Sequence, residues 1–139
     1  MKKRIWKRML LVAVVLISGL MSGCGLEKTS MEKVCDLTYT IVPEREIPQE
    51  FFTVLEEKKQ NPMELTFLDG TDLYLAVGYG VQETTGYSIG VEELYLTDNA
   101  ICLNTTLIGP GQEEKVTEKA CYPYIVVKLE AREEPVIFQ

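Results

Sequence analysis

The side chains able to do covalent or metal chemistry are few in this chain, and their spacing keeps them apart. There is no histidine. That removes the commonest general base, the commonest zinc ligand and every Ser-His or Cys-His dyad. The cysteines Cys24, Cys35, Cys102 and Cys121 form no Cys-x-x-Cys pair, so a zinc site would have to be assembled from scattered thiolates and carboxylates. Ser88 stands in a suggestive segment, Thr84-Thr-Gly-Tyr-Ser-Ile89, but no lysine neighbours it in sequence to serve as its base. Glu92-Glu93, Glu113-Glu114 and Glu133-Glu134 are immediate neighbours. In a strand such pairs point to opposite faces, which reads as solvated charge and not as paired catalytic carboxylates. Asp69-Gly-Thr-Asp72 lacks the acidic spacing and distal glutamate of a calcium loop and fits a hairpin turn. The expectation is a chain that is not an enzyme, with no metal site and no cofactor. With 14 Lys plus Arg against 21 Asp plus Glu the formal charge is −7. Such an acidic chain repels phosphate, so nucleic acid is not an expected partner.

Cys24 differs from the other thiols in what precedes it. Lys2, Lys3, Arg4, Lys7 and Arg8 lead into an apolar run from Met9 to Met21, then Ser22 and Gly23. The run is shorter than the roughly 20 residues of a spanning helix and has the order of a secretory signal peptide. Leu20-Met-Ser-Gly-Cys24 resembles the lipobox of bacterial lipoproteins, with Met21 where leucine is usual. The resemblance implies a diacylglyceryl group on the Cys24 sulfur and cleavage between Gly23 and Cys24. A mature chain of 116 residues would then carry nine basic and 21 acidic residues, a formal charge of −12. That charge holds the domain off an anionic leaflet, so the lipid alone is the expected membrane anchor. The expected place is the extracytoplasmic face of a bacterial cell-envelope membrane. An exported setting permits disulfides. Two readings of the remaining thiols stand open: a bridge between Cys102 and Cys121, or three free thiols used as small apolar groups.

The elements that must position these residues follow from periodicity. Residues 1–23 read as the signal peptide, 24–34 as a polar tether and 35–139 as one domain. Leu37, Tyr39 and Ile41 alternate with Thr38 and Thr40, the period of a half-buried strand. From Pro48 to Pro62 the spacing of Phe51, Val54 and Leu55 predicts a helix, with Glu50 and Lys58 matching its dipole and Asn61 suited to a left-handed cap. Leu65–Leu68 and Leu73–Val77 flank Asp69-Gly70, and Tyr87–Leu96 and Ala100–Leu107 flank Asp98-Asn99, giving two hairpins. Tyr124–Leu129 is a further strand, and Pro135 makes the tail an edge or extension. The expected fold class is α+β, one helix packed on an antiparallel-rich sheet of about six strands.

Leu73-Tyr-Leu-Ala-Val77 before Gly78-Tyr-Gly80, then Thr84–Ile89, then Tyr122-Pro-Tyr-Ile-Val-Val-Lys128 resemble, in order and spacing, the C-terminal domain of the PrcB protease complex subunit family. The resemblance runs from about Leu65 to Leu129. It departs at Thr85, where the family has the first glycine of a Gly-Gly pair. If that glycine takes a positive φ, Thr85 must adopt a different turn. The resemblance implies an accessory subunit that associates with an exported protease and stabilises it in a complex. Its motif residues Thr84, Gly86, Tyr87, Ser88, Tyr122, Pro123 and Tyr124 are the candidate partner-binding residues. Physically they admit two readings. Gly86 supplies a special φ and the tyrosines are core, or Tyr79, Tyr87, Tyr122 and Tyr124 form an exposed face that buries against a partner. The functional expectation is a membrane-anchored, non-enzymatic lipoprotein that binds another exported protein. The alternative is an envelope lipoprotein that binds a small ligand or cation through its excess carboxylates.

Overall fold

The computed structural model of the chain describes residues 31–139. The expected signal peptide and lipobox, with Gly23 and Cys24, lie outside the described residues. The elements run β1 (Cys35–Asp36), β2 (Thr40–Ile41), a 3-10 turn (Glu44–Glu46), α1 (Gln49–Lys58), β3 (Pro62–Asp69), β4 (Asp72–Tyr79), β5 (Ser88–Leu96), β6 (Ile101–Ile108), β7 (Tyr124–Glu130) and β8 (Val136–Phe138). They form two four-stranded sheets, β1-β5-β6-β8 and β2-β7-β4-β3. Neighbouring strands are antiparallel except β6 and β8.

The α+β class and one α-helix among the described residues match the expectation, but one sheet of about six strands does not. The reason lies in β4, whose residues Leu73 to Gly78 are all buried. Its odd residues Leu73, Leu75 and Val77 meet Val127 and Leu129 of β7, and Leu94, Ile101 and Leu103 of the other sheet, between the sheets. Its even residues Tyr74 and Ala76, with Val126, face Phe51 and Leu55 of α1. A strand with apolar residues on both faces belongs in a middle layer, here between a helix and a second sheet. Phe51 stacks on Phe67 with ring centroids 5.1 Å apart, and Tyr74 tilts against both.

α1 begins after Pro48, with Glu50 in its first turn and Lys58 in its last, as the dipole favours. Asn61 takes no left-handed cap, since no residue other than glycine has a positive φ among the described residues. Its N–H donates to Lys58 O at 3.1 Å instead, and Pro62 leads straight into β3. The single strand expected over residues 37–41 is also divided. Cys35 and Asp36 pair with β5, whereas Thr40 and Ile41 pair with β7. The chain crosses between sheets at 37–39, where Leu37 and Tyr39 plug the inter-sheet core and leave Ile41 exposed. Ordered packing starts before the tether's expected end: Lys33 Nζ lies 2.6 Å from Glu93 Oε1 and 5.2 Å from the centre of the Tyr95 ring.

Both hairpins form. Asp69 and Asp72 close the first, with Gly70 at φ +60°, a conformation a two-residue turn requires and glycine accepts. The second uses no positive φ. Buried Thr97 shapes it instead, its Oγ1 accepting from Ala100 N at 3.0 Å while its N–H donates to Ala100 O at 2.8 Å. A bulge between Val91 and Glu93 bends β5, and both Glu92 and Glu93 are exposed.

Candidate functional site

Two long connections, residues 80–87 between β4 and β5 and residues 109–123 between β6 and β7, lie at one end of the sandwich, beside the C-terminus of α1. The motif residues Thr84–Tyr87 belong to the first, with Ser88 opening β5, and Tyr122–Pro123 belong to the second. Gln82 and Cys121 pair across them, Gln82 N–H to Cys121 O at 2.8 Å and Cys121 N–H to Gln82 O at 3.0 Å. The Cys121 thiol donates to Thr84 O at 2.9 Å. Thr85 N–H donates to Thr117 O at 3.1 Å, and Thr117 N–H returns to Thr85 Oγ1 at 3.0 Å. Thr85 therefore avoids positive φ, and its hydroxyl satisfies a loop donor that glycine would leave open.

Gly86 carries the special conformation, φ +96°. A Cβ there would lie 2.9 Å from Pro110 Cβ and 3.2 Å from Val116 Cγ1, so the second loop packs directly against the glycine. Tyr87 is half-buried, and a methyl group on Gly109 would meet its Cε1 at 3.6 Å. Ser88 is exposed at the start of β5, opposite Ile108.

The other motif residues turn toward the helix. Lys59 Nζ sits 5.5 Å from the centre of the half-buried Tyr122 ring and 2.7 Å from Glu56 Oε2. Pro123 O accepts from Tyr79 N–H at 3.2 Å. Tyr124 packs against the helix-side cluster, and its hydroxyl is buried with no hydrogen-bond partner. Burial, then the negative charges of Glu44 and Glu56, push its phenol above the usual tyrosine value. Tyr79 turns inward, its hydroxyl 2.8 Å from Thr105 Oγ1 on the facing sheet. The four tyrosines are thus half-buried, Tyr122 and Tyr124 toward the helix, Tyr79 toward the facing sheet and Tyr87 beside Gly109, and do not form one exposed face. The Cys102–Cys121 bridge is not made: Cys102 is buried beside Tyr95 and Ala100, while Cys121 serves the loop junction, and Cys35 is free and exposed.

Sequence reasoning passed over three aliphatic residues at this end. Val81, Ile108 and Val116 are 55%, 48% and 41% exposed. Val116 had a legible signal, being the lone apolar residue of the polar stretch Gln112–Lys119. Asp69 and Asp72 serve the turn, and among the described residues no group of three His, Cys, Asp or Glu side chains is placed to hold a metal ion.

Residues 73–130 match the sequence model of the family described as PrcB C-terminal. This segment is a PrcB C-terminal domain. The match begins eight residues after the start of the resemblance read from the motifs. It covers nearly all of β4, then β5, β6 and β7 with both long connections, so it takes two inner strands from one sheet and two from the other. α1, the outer strands β1, β2, β3 and β8, and the turn Gly70-Thr71 lie outside it. Neither a curated protein nor a solved structure matches the chain.

Proposed function

We propose that this chain is a bacterial lipoprotein, anchored by lipid on Cys24 to the extracytoplasmic face of a membrane, whose domain is a non-enzymatic accessory module. It docks another exported protein, and a protease complex is the class that the resemblance implies. The observation that carries the reading is the loop end of the PrcB C-terminal domain. Its two connections are bound to each other by backbone, hydroxyl and thiol hydrogen bonds, and Val81, Ile108 and Val116 are left in solvent beside them. A surface already ordered loses little conformational freedom on binding. Exposed aliphatic area contributes about 25 cal/mol per Å² when a partner covers it.

A photo-reactive amino acid placed at Val116 in the native cell is expected to cross-link an exported protein. The same probe at Thr53, on the exposed side of α1, is expected to give no adduct. Equal adducts from both positions, or none from position 116 in a folded membrane-bound chain, contradict the reading. Cys24→Ala is expected to move the protein from the membrane to the soluble fraction.

A further inference from the structure

β3 ends its sheet with one side unpaired among the described residues. Because Asp69 and Asp72 close a two-residue turn, Asp69, Phe67, Leu65 and Met63 exchange hydrogen bonds with β4. Glu64, Thr66 and Leu68 then aim their N–H and C=O groups outward. The phase agrees with the far side of β4, where Tyr79, in the same alternation as Leu73, Leu75 and Val77, donates to Pro123 O next to β7. Side chains alternate likewise: Met63, Leu65 and Phe67 pack under α1, whereas Glu64, Thr66 and Leu68 are exposed on the opposite face. Leu68 is 62% exposed. β8, the edge of the other sheet, does not cover that face. A groove of about 460 Å³ opens there, lined by Met63, Glu64, Val77, Tyr79, Thr105 and Phe138 among others.

Charge selects the occupant. β3, β4 and β8 contain Glu64, Asp69 and Asp72 and no lysine or arginine. None of these three acids is in an ion pair among the described residues. Residues 31–139 carry eight Lys plus Arg against twenty Asp plus Glu. A second copy would bring the same acids to the edge, whereas a cationic strand would pair them. We propose that the free edge of β3 captures an extended, lysine- or arginine-bearing segment of a protein partner. That segment adds a fifth strand to the sheet, with a basic residue beside Glu64 and an apolar residue beside Leu68. The inference deepens the protein-docking reading and rests on it.

The test uses the full chain in mild detergent and two fluorescent nine-residue peptides. One alternates lysine with valine and threonine, and the other has glutamate in place of lysine. The lysine peptide is expected to bind at least about tenfold more tightly and to slow amide exchange at Thr66 and Leu68. Thr66→Pro removes an outward N–H that β4 does not use, and edge strands accept proline there. It should weaken peptide binding about tenfold while leaving most of the thermal stability. Glu64→Lys, an exposed change, should weaken the lysine peptide and strengthen the glutamate peptide. Equal affinity for both peptides, affinities that neither variant moves, or a dimer abolished by Thr66→Pro would each overturn the proposal. The docking reading fails separately: if position 116 still cross-links a partner while the lysine peptide does not bind, only the edge proposal falls.

Discussion

Gly86→Ala tests how the two connections at the loop end are held. The glycine sits at φ +96°, and an added Cβ would meet Pro110 Cβ at 2.9 Å and Val116 Cγ1 at 3.2 Å. Forcing an L-residue into that backbone region costs roughly 1–2 kcal/mol, and relieving the two overlaps adds about 1–3 kcal/mol. Together they lower unfolding stability by about 2–5 kcal/mol, or a Tm fall of roughly 8–20 °C at about 4 °C per kcal/mol. Two glycines serve as controls. Gly70 has φ +60° with nothing near its missing Cβ, and Gly111 has open space and no positive φ. Gly70→Ala should cost about 1 kcal/mol from strain alone, and Gly111→Ala should stay within about 0.5 kcal/mol. Urea denaturation of the three variants measures the series. Amide exchange at Thr85 and Thr117 should quicken only in Gly86→Ala, because those amides join the loops. If Gly86→Ala costs no more than Gly70→Ala and leaves those amides unchanged, the second loop does not pack on the glycine and the reasoning is wrong.

Phe51→Ala removes a ring stacked on Phe67 in the helix-side core, and should cost about 3–5 kcal/mol in urea denaturation. Tyr124→Phe removes a buried hydroxyl without a partner and should be neutral or stabilising by about 1 kcal/mol. Because the folded-state phenol of Tyr124 is raised, its contribution is intact below the ordinary tyrosine pKa and is lost as pH rises above it. Tyr124→Phe should therefore flatten the alkaline fall in stability, leaving the part due to Tyr95, which burial also raises. Thiol labelling should modify exposed Cys35 first and buried Cys102 only on unfolding; a Cys102–Cys121 disulfide in the mature protein would contradict the free-thiol structure.

The local elements were legible because each rests on local physics. Asp69-Gly70 announces a turn, Pro48 through Lys58 carries helix-end chemistry, and Gly86 fits the special φ assigned to it. What periodicity could not show was sheet membership. Alternation along Leu37, Tyr39 and Ile41 is the same whether a strand stays in one sheet or crosses to another, and here it crosses. The apolar run Leu73–Val77 did hold the clue to a middle layer, since apolar residues at successive positions need cover on both faces. The loop end was half visible: its motif could be named, but its bracing depends on Thr117 and Cys121, more than thirty residues away in sequence. Val81 and Val116 lie in the connections and Ile108 is the last residue of β6, so only the packed structure separates them from core residues.

The central claim is that the loop end holds an exported partner. The most direct measurement is the stoichiometry of proteins recovered with the tagged chain from its own membranes, for the wild type and for Val116→Asp combined with Ile108→Asp. The account predicts a stoichiometric exported partner with the wild type and its loss in the double variant, which remains folded by circular dichroism. Recovery of the chain alone under several mild detergents, or a partner retained equally by the folded variant, would contradict it.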